Sequence, residues 1–217
     1  MKRHKTALWF VFLAIMGFAT IALEAVLALV LEPIVYGYEM SAWSTPQFIM
    51  HWSITCAIWG ATSAALIYLA KEKCDFNIFR NGSKMTTTQW LIIAEIVVGS
   101  LIISCIDWNG AKIVREFMMN GCLKFIFQYI YYLFEMVLIT LILVFSQKAG
   151  ELWFRNKNIP YGGIVIALTW GVAHFFTKGV LSGILGMAAG IAFGFVYLLV
   201  NRDIKKAYPI LFVMFAL

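Results

Sequence analysis

Charged side chains are scarce in this sequence. Asp, Glu, Lys and Arg make up 13% of the 217 residues, whereas a soluble domain usually carries about a quarter. Hydrophobic residues make up 62%, and the mean hydropathy is +0.85. In water, so little polar surface could not cover so much apolar material, which excludes an ordinary soluble domain. We therefore expect a lipid bilayer as the surroundings of this chain.

Metal-binding patterns are also missing. The three histidines, His4, His51 and His174, form no His-Glu-x-x-His helix, and no cysteine pair has metal-ligand spacing. There is no serine nucleophile elbow and no phosphate-binding glycine loop. We expect neither a metal nor any other cofactor. A disulfide framework is not expected, although Cys105 and Cys122 flank one predicted loop and leave a single bridge open.

Long apolar runs are what the sequence does contain. A helix needs about 20 apolar residues to cross the hydrocarbon core, and its backbone must be paired internally there. We predict an all-α fold, a polytopic transmembrane helical bundle in one membrane domain over residues 1–217. The predicted spans are six full ones and a short seventh: Leu8–Leu31, Phe48–Ala70, Trp90–Ile106, Leu123–Phe145, Ile159–Phe176, Val180–Val200 and Ala207–Leu217.

The basic residues predict an orientation. With the N-terminus in the cytoplasm, thirteen of the 17 Lys and Arg residues fall in inner segments, in agreement with the positive-inside rule. The first apolar run is too long for a cleaved signal peptide, so we expect a retained first span. Our expectation for the membrane is a bacterial plasma membrane. The charges are scattered over short loops, which favours anionic lipid headgroups over nucleic acid as their partner.

Small and acidic residues stand out within the predicted spans. Glycines at 179, 183, 186, 190 and 194 predict close packing against another helix, and a substrate passage is the alternative. Glu24, Glu95 and Glu135 each lie inside a span. Carboxyl groups at that depth either move protons or ions or bind a neighbouring helix. This keeps a small transporter, or a transporter subunit, among the candidate functions.

The densest polar constellation consists of Glu151, Arg155 and His174. If the fourth helix continues past Gln147, Glu151 and Arg155 share one face. A carboxylate, a guanidinium and an imidazole together could activate water and stabilise an oxyanion. The alternative is an interfacial ion pair and a separate interior histidine. A straight fifth span would carry His174 away from Glu151, so the two meet only if that helix bends or re-enters.

These residues resemble the CPBP family of CAAX-protease and bacteriocin-processing membrane proteins. The run GELWFR at 150–155 is similar to the family's first motif, Glu-Glu-x-x-x-Arg, and WGVAH at 170–174 is similar to its second, Phe-x-x-x-His. The glycine-rich stretch 186–199 is similar to the helix that follows. The resemblance covers about residues 135–217, and it implies an intramembrane protease of the glutamate type.

Two departures from the family pattern concern catalysis. Gly150 stands where the family has its first Glu, and residues 211–217 contain no His, Asn or Asp for a third motif. Only Glu151, Arg155 and His174 carry over as catalytic candidates. Because the base and an oxyanion donor are missing, we predict an inactive family member. It would bind a peptide, a lipidated chain or a membrane partner in immunity, regulation or assembly. An active endopeptidase that uses Glu151 and His174 is the alternative.

Overall fold

A computed structural model describes residues 2–217, with side chains from His4 onward. The side chains of Lys2 and Arg3, which contribute to the predicted orientation, lie outside the described residues. Within that range the protein is all-helical. The α-helices are α1 (Lys2–Val26), α2 (Glu32–Tyr36), α3 (Thr45–Cys74), α4 (Thr87–Asp107), α5 (Lys112–Phe154), α6 (Tyr161–Ile166), α7 (Val172–Thr177), α8 (Val180–Leu199) and α9 (Ile204–Ala216).

Five helical segments among residues 2–217 are long and apolar enough to cross a membrane, which indicates a multi-pass membrane protein. They are His4–Tyr36, Thr45–Cys74, Thr87–Asp107, Lys112–Phe154 and Val180–Leu199. The expected fifth span corresponds to a shorter apolar helix, Tyr161–Thr177, and the expected half-span to α9. The all-helical class is therefore confirmed with five candidate spans, while the full set of six spans stays a prediction.

Helix α5 forms the centre of the bundle. It packs against α1, α3, α6 and α9, and its middle, from Met136 to Phe145, supplies much of the buried core. Near its start the helix breaks at Gly121, where φ is +68°, a conformation open to glycine at little cost. The helix then continues to Phe154, well beyond the predicted end at Phe145. That extension brings Glu151 onto α5.

Two π-helical turns interrupt otherwise continuous helices. One, Leu27–Leu31, joins α1 to α2, and the other, Ala167–Gly171, joins α6 to α7. A π turn accommodates about one extra residue relative to an α-helix, and such turns are frequent at functional sites. Each therefore changes which side of the bundle the following residues face.

Glycines bring α8 against α6 and the π turn that follows it at backbone contact. A Cβ built on Gly163 would lie 2.7 Å from the Cα of Gly194, and one on Gly190 would lie 2.6 Å from the backbone nitrogen of Ala167. No side chain fits between backbones at these distances. The close packing predicted from the glycine spacing is confirmed, and it locks α6, α7 and α8 into one unit.

Candidate functional site

Glu151 lies near the end of α5 and is bound by a cation from elsewhere in the chain. Nε of Arg202 donates to Oε1 of Glu151 at 2.6 Å, and Nε2 of Gln147 donates to the same oxygen at 3.0 Å. The Glu151 side chain is almost fully buried. Arg202 lies in the turn after α8, where its φ of +61° directs it back towards α5. The carboxylate thus fastens the turn after α8 to the end of α5.

Arg155 does not share the face of Glu151. It caps the C-terminus of α5 in the left-handed conformation, with φ +58°, and its side chain is exposed. The helix that would have placed the two residues one turn apart has already ended. The sequence predicted a basic partner for Glu151, and the structure supplies Arg202 in that role.

His174 lies towards the opposite end of the neighbouring helix. Gln147 Oε1 accepts a hydrogen bond from the Gly162 backbone N–H at 3.1 Å, so the start of α6 lies beside Glu151. From Gly162 to His174 the chain rises twelve residues, or about 18 Å at helical pitch. Nδ1 of His174 lies 2.8 Å from the carbonyl oxygen of Trp170. The structure therefore does not bring Glu151 and His174 together.

Gly150, where the family motif has a Glu, lies against Tyr161. A Cβ at this position would be 2.3 Å from Cγ of the Tyr161 ring. A small pocket of about 240 Å³ borders Gly150, and its lining includes Ser146 and Thr169 but no carboxylate or histidine. In this fold the motif position has neither an acid nor space for one.

A polar-lined cavity of about 730 Å³ lies between α1, α4, α5, α7, α8 and α9. Its walls combine aromatic rings, such as Trp170 and Phe193, with alanines of α1 and α8. Six acidic or basic residues line it: Glu24, Asp107, Lys112, Glu135, His174 and Lys178. Such a mixture of apolar wall and few ionisable groups is typical of ligand sites.

The polar groups of this cavity are held by specific bonds. Nε1 of Trp170 donates to Oε1 of Glu135 at 3.1 Å, so the same tryptophan positions both Glu135 and His174. Nζ of Lys112 donates to the carbonyl oxygen of Phe215 at 2.7 Å and lies 4.8 Å from the centre of that ring. These contacts fix a carboxylate, an imidazole and an ammonium group on the wall of one space.

A cluster of one histidine and two carboxyl groups adjoins the cavity through Glu24. His51 is fully buried on α3, with Nδ1 2.6 Å from Oε2 of Glu32 and Nε2 3.2 Å from Oε1 of Glu24. On a regular helix, residues eight apart point about 80° from each other. The π turn at Leu27–Leu31 absorbs about one residue, which reduces that angle to about 20°. Both carboxyl groups can therefore reach the same ring.

Metal binding finds no support in this geometry. Glu24 and Glu32 contact opposite nitrogens of His51, so the three groups do not converge on one point. Within residues 2–217, no three His, Cys, Asp or Glu side chains are placed to hold a metal ion. All four cysteines are free, and Cys105 and Cys122 are exposed thiols.

Sequence reasoning found some of these cavity residues and missed others. Of the three acidic residues singled out within spans, Glu24 and Glu135 line the cavity and Glu95 does not, and the catalytic candidate His174 lines it too. Lys112 and Lys178 were counted only as loop charges, and His51 was set aside for lack of a motif. A histidine within the apolar second span was the signal that could have indicated His51, because a polar group at that depth needs a partner.

An ordered turn between α8 and α9 completes the Glu151 end of the bundle. Asp203 caps α9, accepting a hydrogen bond from the Lys205 backbone N–H at 3.1 Å, and it also accepts one from the Gly82 N–H at 3.2 Å. Burial opposes ionisation of Asp203, but the hydrogen bonds from Gly82 and Lys206 outweigh that effect. The pKa of this carboxyl therefore lies below its ordinary value.

The fold and cavity define a multi-pass helical membrane protein with a ligand-sized open cavity. No protein-family model matches the chain, and no curated protein or solved structure is significantly similar to it. The resemblance to the CPBP family thus rests on the short motifs of the sequence.

Proposed function

We propose that this protein is a non-catalytic, CPBP-like membrane protein that binds an amphipathic ligand, such as a lipidated chain or an apolar peptide end. One observation carries the proposal. The cavity of about 730 Å³ has apolar walls and a fixed set of ionisable groups, whereas Glu151 is bound by Arg202 far from His174. The geometry favours holding a ligand over hydrolysing one.

The size and lining of the cavity suit such a ligand. Pockets for small molecules commonly enclose about 300–1,000 Å³. An acyl or prenyl chain would pack on the rings and alanines, while its polar end would meet Glu135, His174 or Lys178. In this role the motif residues keep a structural function: Glu151 fixes the turn after α8, and His174 lines the ligand space.

The proposal also includes the membrane topology of the chain. Helix Tyr161–Thr177 serves as a sixth span, since a short helix can cross where it packs tightly on α8, and α9 adds a terminal half-span. The distribution of Lys and Arg supports a cytoplasmic N-terminus, and the membrane of this proposal is a bacterial plasma membrane. The cavity then opens towards the outer face, and the Glu151–Arg202 pair lies near the inner one.

The test is direct binding in lipid nanodiscs, with a fluorescent prenylated peptide as the probe and the same peptide without the prenyl group for comparison. Ala189 lines the cavity on α8, so Ala189→Phe should weaken binding of the prenylated peptide about tenfold, a loss of about 1.4 kcal/mol. Ile184 is 54% exposed on the same helix and does not line the cavity, so Ile184→Phe is the control. Equal binding by both variants, or none by the unmodified protein, contradicts the proposal.

The second candidate, a small transporter or transporter subunit, is favoured by the two intramembrane carboxyls that line the cavity, Glu24 and Glu135. Ion or proton flux in proteoliposomes that disappears when both become Gln would support it. Unchanged flux would count against it. The third candidate, an active endopeptidase, requires peptide cleavage that is lost in Glu151→Gln and in His174→Ala.

A further inference from the structure

His174 has one ring nitrogen bound by the backbone and the other open to the cavity. Nδ1 lies 2.8 Å from the carbonyl oxygen of Trp170, and a carbonyl oxygen can only accept a hydrogen bond. Nδ1 therefore carries a proton and donates it. Among the described residues, no group binds Nε2, and this nitrogen is not sealed in the interior. Since His174 is partly exposed and lines the cavity, Nε2 is available to a ligand.

Trp170 and Gly186 fix the orientation of this imidazole. The rings of Trp170 and His174 meet edge to face, with their centres 4.4 Å apart. Trp170 is itself buried, and its indole Nε1 donates to Oε1 of Glu135 at 3.1 Å. A Cβ added to Gly186 would lie 3.6 Å from Cγ of His174, so α8 packs close to the base of the ring. Nε2 lies at the far end of the ring from Cγ, and these contacts keep it there.

The charge state of His174 decides what Nε2 can bind. An imidazole ordinarily takes up its second proton at about pH 6.5. No carboxylate of the described residues forms an ion pair with this ring, whereas the ammonium groups of Lys112 and Lys178 line the same cavity and repel a further positive charge. The ring is therefore neutral at pH 7, with a lone pair on Nε2. It can accept a hydrogen bond there, but it cannot donate one to a carbonyl or an oxyanion.

We propose that His174 selects the head group of the ligand, with Nε2 accepting a hydrogen bond from an uncharged donor, a hydroxyl or an amide N–H. Head groups of either charge meet like charges in this cavity. The wall carries three carboxyl groups and two ammonium groups: Glu24, Asp107, Glu135, Lys112 and Lys178. His174 has this role only if the proposed function holds, because the head group arrives with the amphipathic ligand. That ligand is then an apolar chain with a donor at its polar end, such as an isoprenoid alcohol.

The first test is nitrogen NMR of the protein in lipid nanodiscs at pH 7, with isotope-labelled histidine. His174→Gln removes the signals of this ring and so identifies them. We expect a protonated Nδ1 and a bare Nε2. The isoprenoid alcohol farnesol should shift the Nε2 signal, while its methyl ether, which has no donor, should not. A proton on Nε2, or equal shifts with the two compounds, would overturn the proposal.

The second test measures binding of three radiolabelled compounds to the protein in nanodiscs, after subtraction of binding to empty nanodiscs. Farnesol should bind about tenfold more tightly than its methyl ether or farnesoic acid, the corresponding carboxylic acid. In His174→Phe, which keeps a ring but has no acceptor, the alcohol should bind no better than the ether. Phe176 is 86% exposed on the same helix and does not line the cavity, so Phe176→Leu is the control and should keep the preference.

The outcomes separate this proposal from the one on which it rests. If the prenylated peptide binds but the three compounds bind equally, or the acid binds most tightly, the role of His174 is refuted and the proposed function stands. If neither the peptide nor any of the compounds binds, both proposals fail. If His174→Phe does not fold, the comparison of the three compounds on the unmodified protein decides.

Discussion

Nδ1 of His51 lies 2.6 Å from Oε2 of Glu32, and the imidazole has no exposed surface. On the other side of the ring, Nε2 lies 3.2 Å from Oε1 of Glu24. A neutral imidazole has one N–H and can donate to only one carboxylate. The cluster therefore holds either a doubly protonated ring or a protonated carboxyl. In both states the three side chains tie α1 and α2 to α3.

Removing one member of this cluster should destabilise the bundle. We expect Glu32→Ala to lower the free energy of unfolding by about 1–3 kcal/mol, because His51 is left with an unsatisfied nitrogen in an apolar interior. Thermal unfolding in detergent, followed by circular dichroism, measures the change. Glu39→Ala is the matched control, since Glu39 is exposed in the same connection. Equal losses in the two variants would show that the cluster adds no stability.

The pair of Glu151 and Arg202 should be coupled in a double-mutant cycle. Glu151→Gln and Arg202→Gln should each destabilise the protein, by about 1 kcal/mol, because Arg202 is about one-third exposed and solvent screens the pair. Their effects should be non-additive by about 0.5 kcal/mol or more. Arg155→Gln, at an exposed arginine, should change stability by less than about 0.5 kcal/mol. Coupling of Glu151 to Arg155 instead would contradict the structure.

Restoring the family residue at position 150 should be unfavourable. Gly150→Glu and Gly150→Ala both place a Cβ within the Tyr161 ring contact, and we expect a loss of about 1–3 kcal/mol from overpacking. Combining Gly150→Ala with Tyr161→Ala should recover part of that loss. Gly99→Ala in α4, where nothing lies within 4 Å, should be neutral or stabilising. A Gly150→Ala protein as stable as the original would show that Tyr161 moves aside freely.

The turn that Asp203 organises should respond to acid. Because the folded-state pKa of Asp203 is depressed, its contribution is fully present above the unfolded value, near pH 4, and is lost as the pH falls through the folded pKa. The difference in melting temperature between the unmodified protein and Asp203→Asn should therefore shrink below about pH 4. Asp75→Asn, at an exposed aspartate, is the control variant, and the same convergence in both variants would contradict the prediction.

The sequence predicted the helices of this fold better than the contacts between them. Continuous apolar runs placed the long spans, because burial in lipid demands length and hydrophobicity alone. The glycine spacing predicted the backbone contact of α8, because glycines four residues apart leave one face of a helix without side chains. Arg202 could not be found this way, since it lies 51 residues from Glu151 in sequence and meets it only through the turn after α8. The hydropathy pattern did predict that Glu151 and His174 lie apart, because a straight fifth span carries His174 away from Glu151.

The cavity could not be predicted from the sequence, for a different reason. Glu24, Glu135 and His174 were recognisable one at a time, but their convergence depends on how far each helix is rotated. Each of the two π turns changes that rotation by the angle of about one residue. Nothing in the runs LALVL or ALTWG distinguishes a π turn from ordinary helix. A single sequence therefore predicts which polar groups are buried, and leaves open which of them meet.

The π turn at Ala167–Gly171 makes the cavity tolerant of one particular change in chain length. His174 lies three residues beyond it. Because the turn absorbs about one residue, the loss of one residue within it would restore regular winding and leave the imidazole facing the cavity. The same loss in the regular winding of α6 would rotate everything that follows by about 100° and carry the imidazole off the cavity wall. The π turn is therefore the place where a one-codon deletion would keep this histidine in the ligand space.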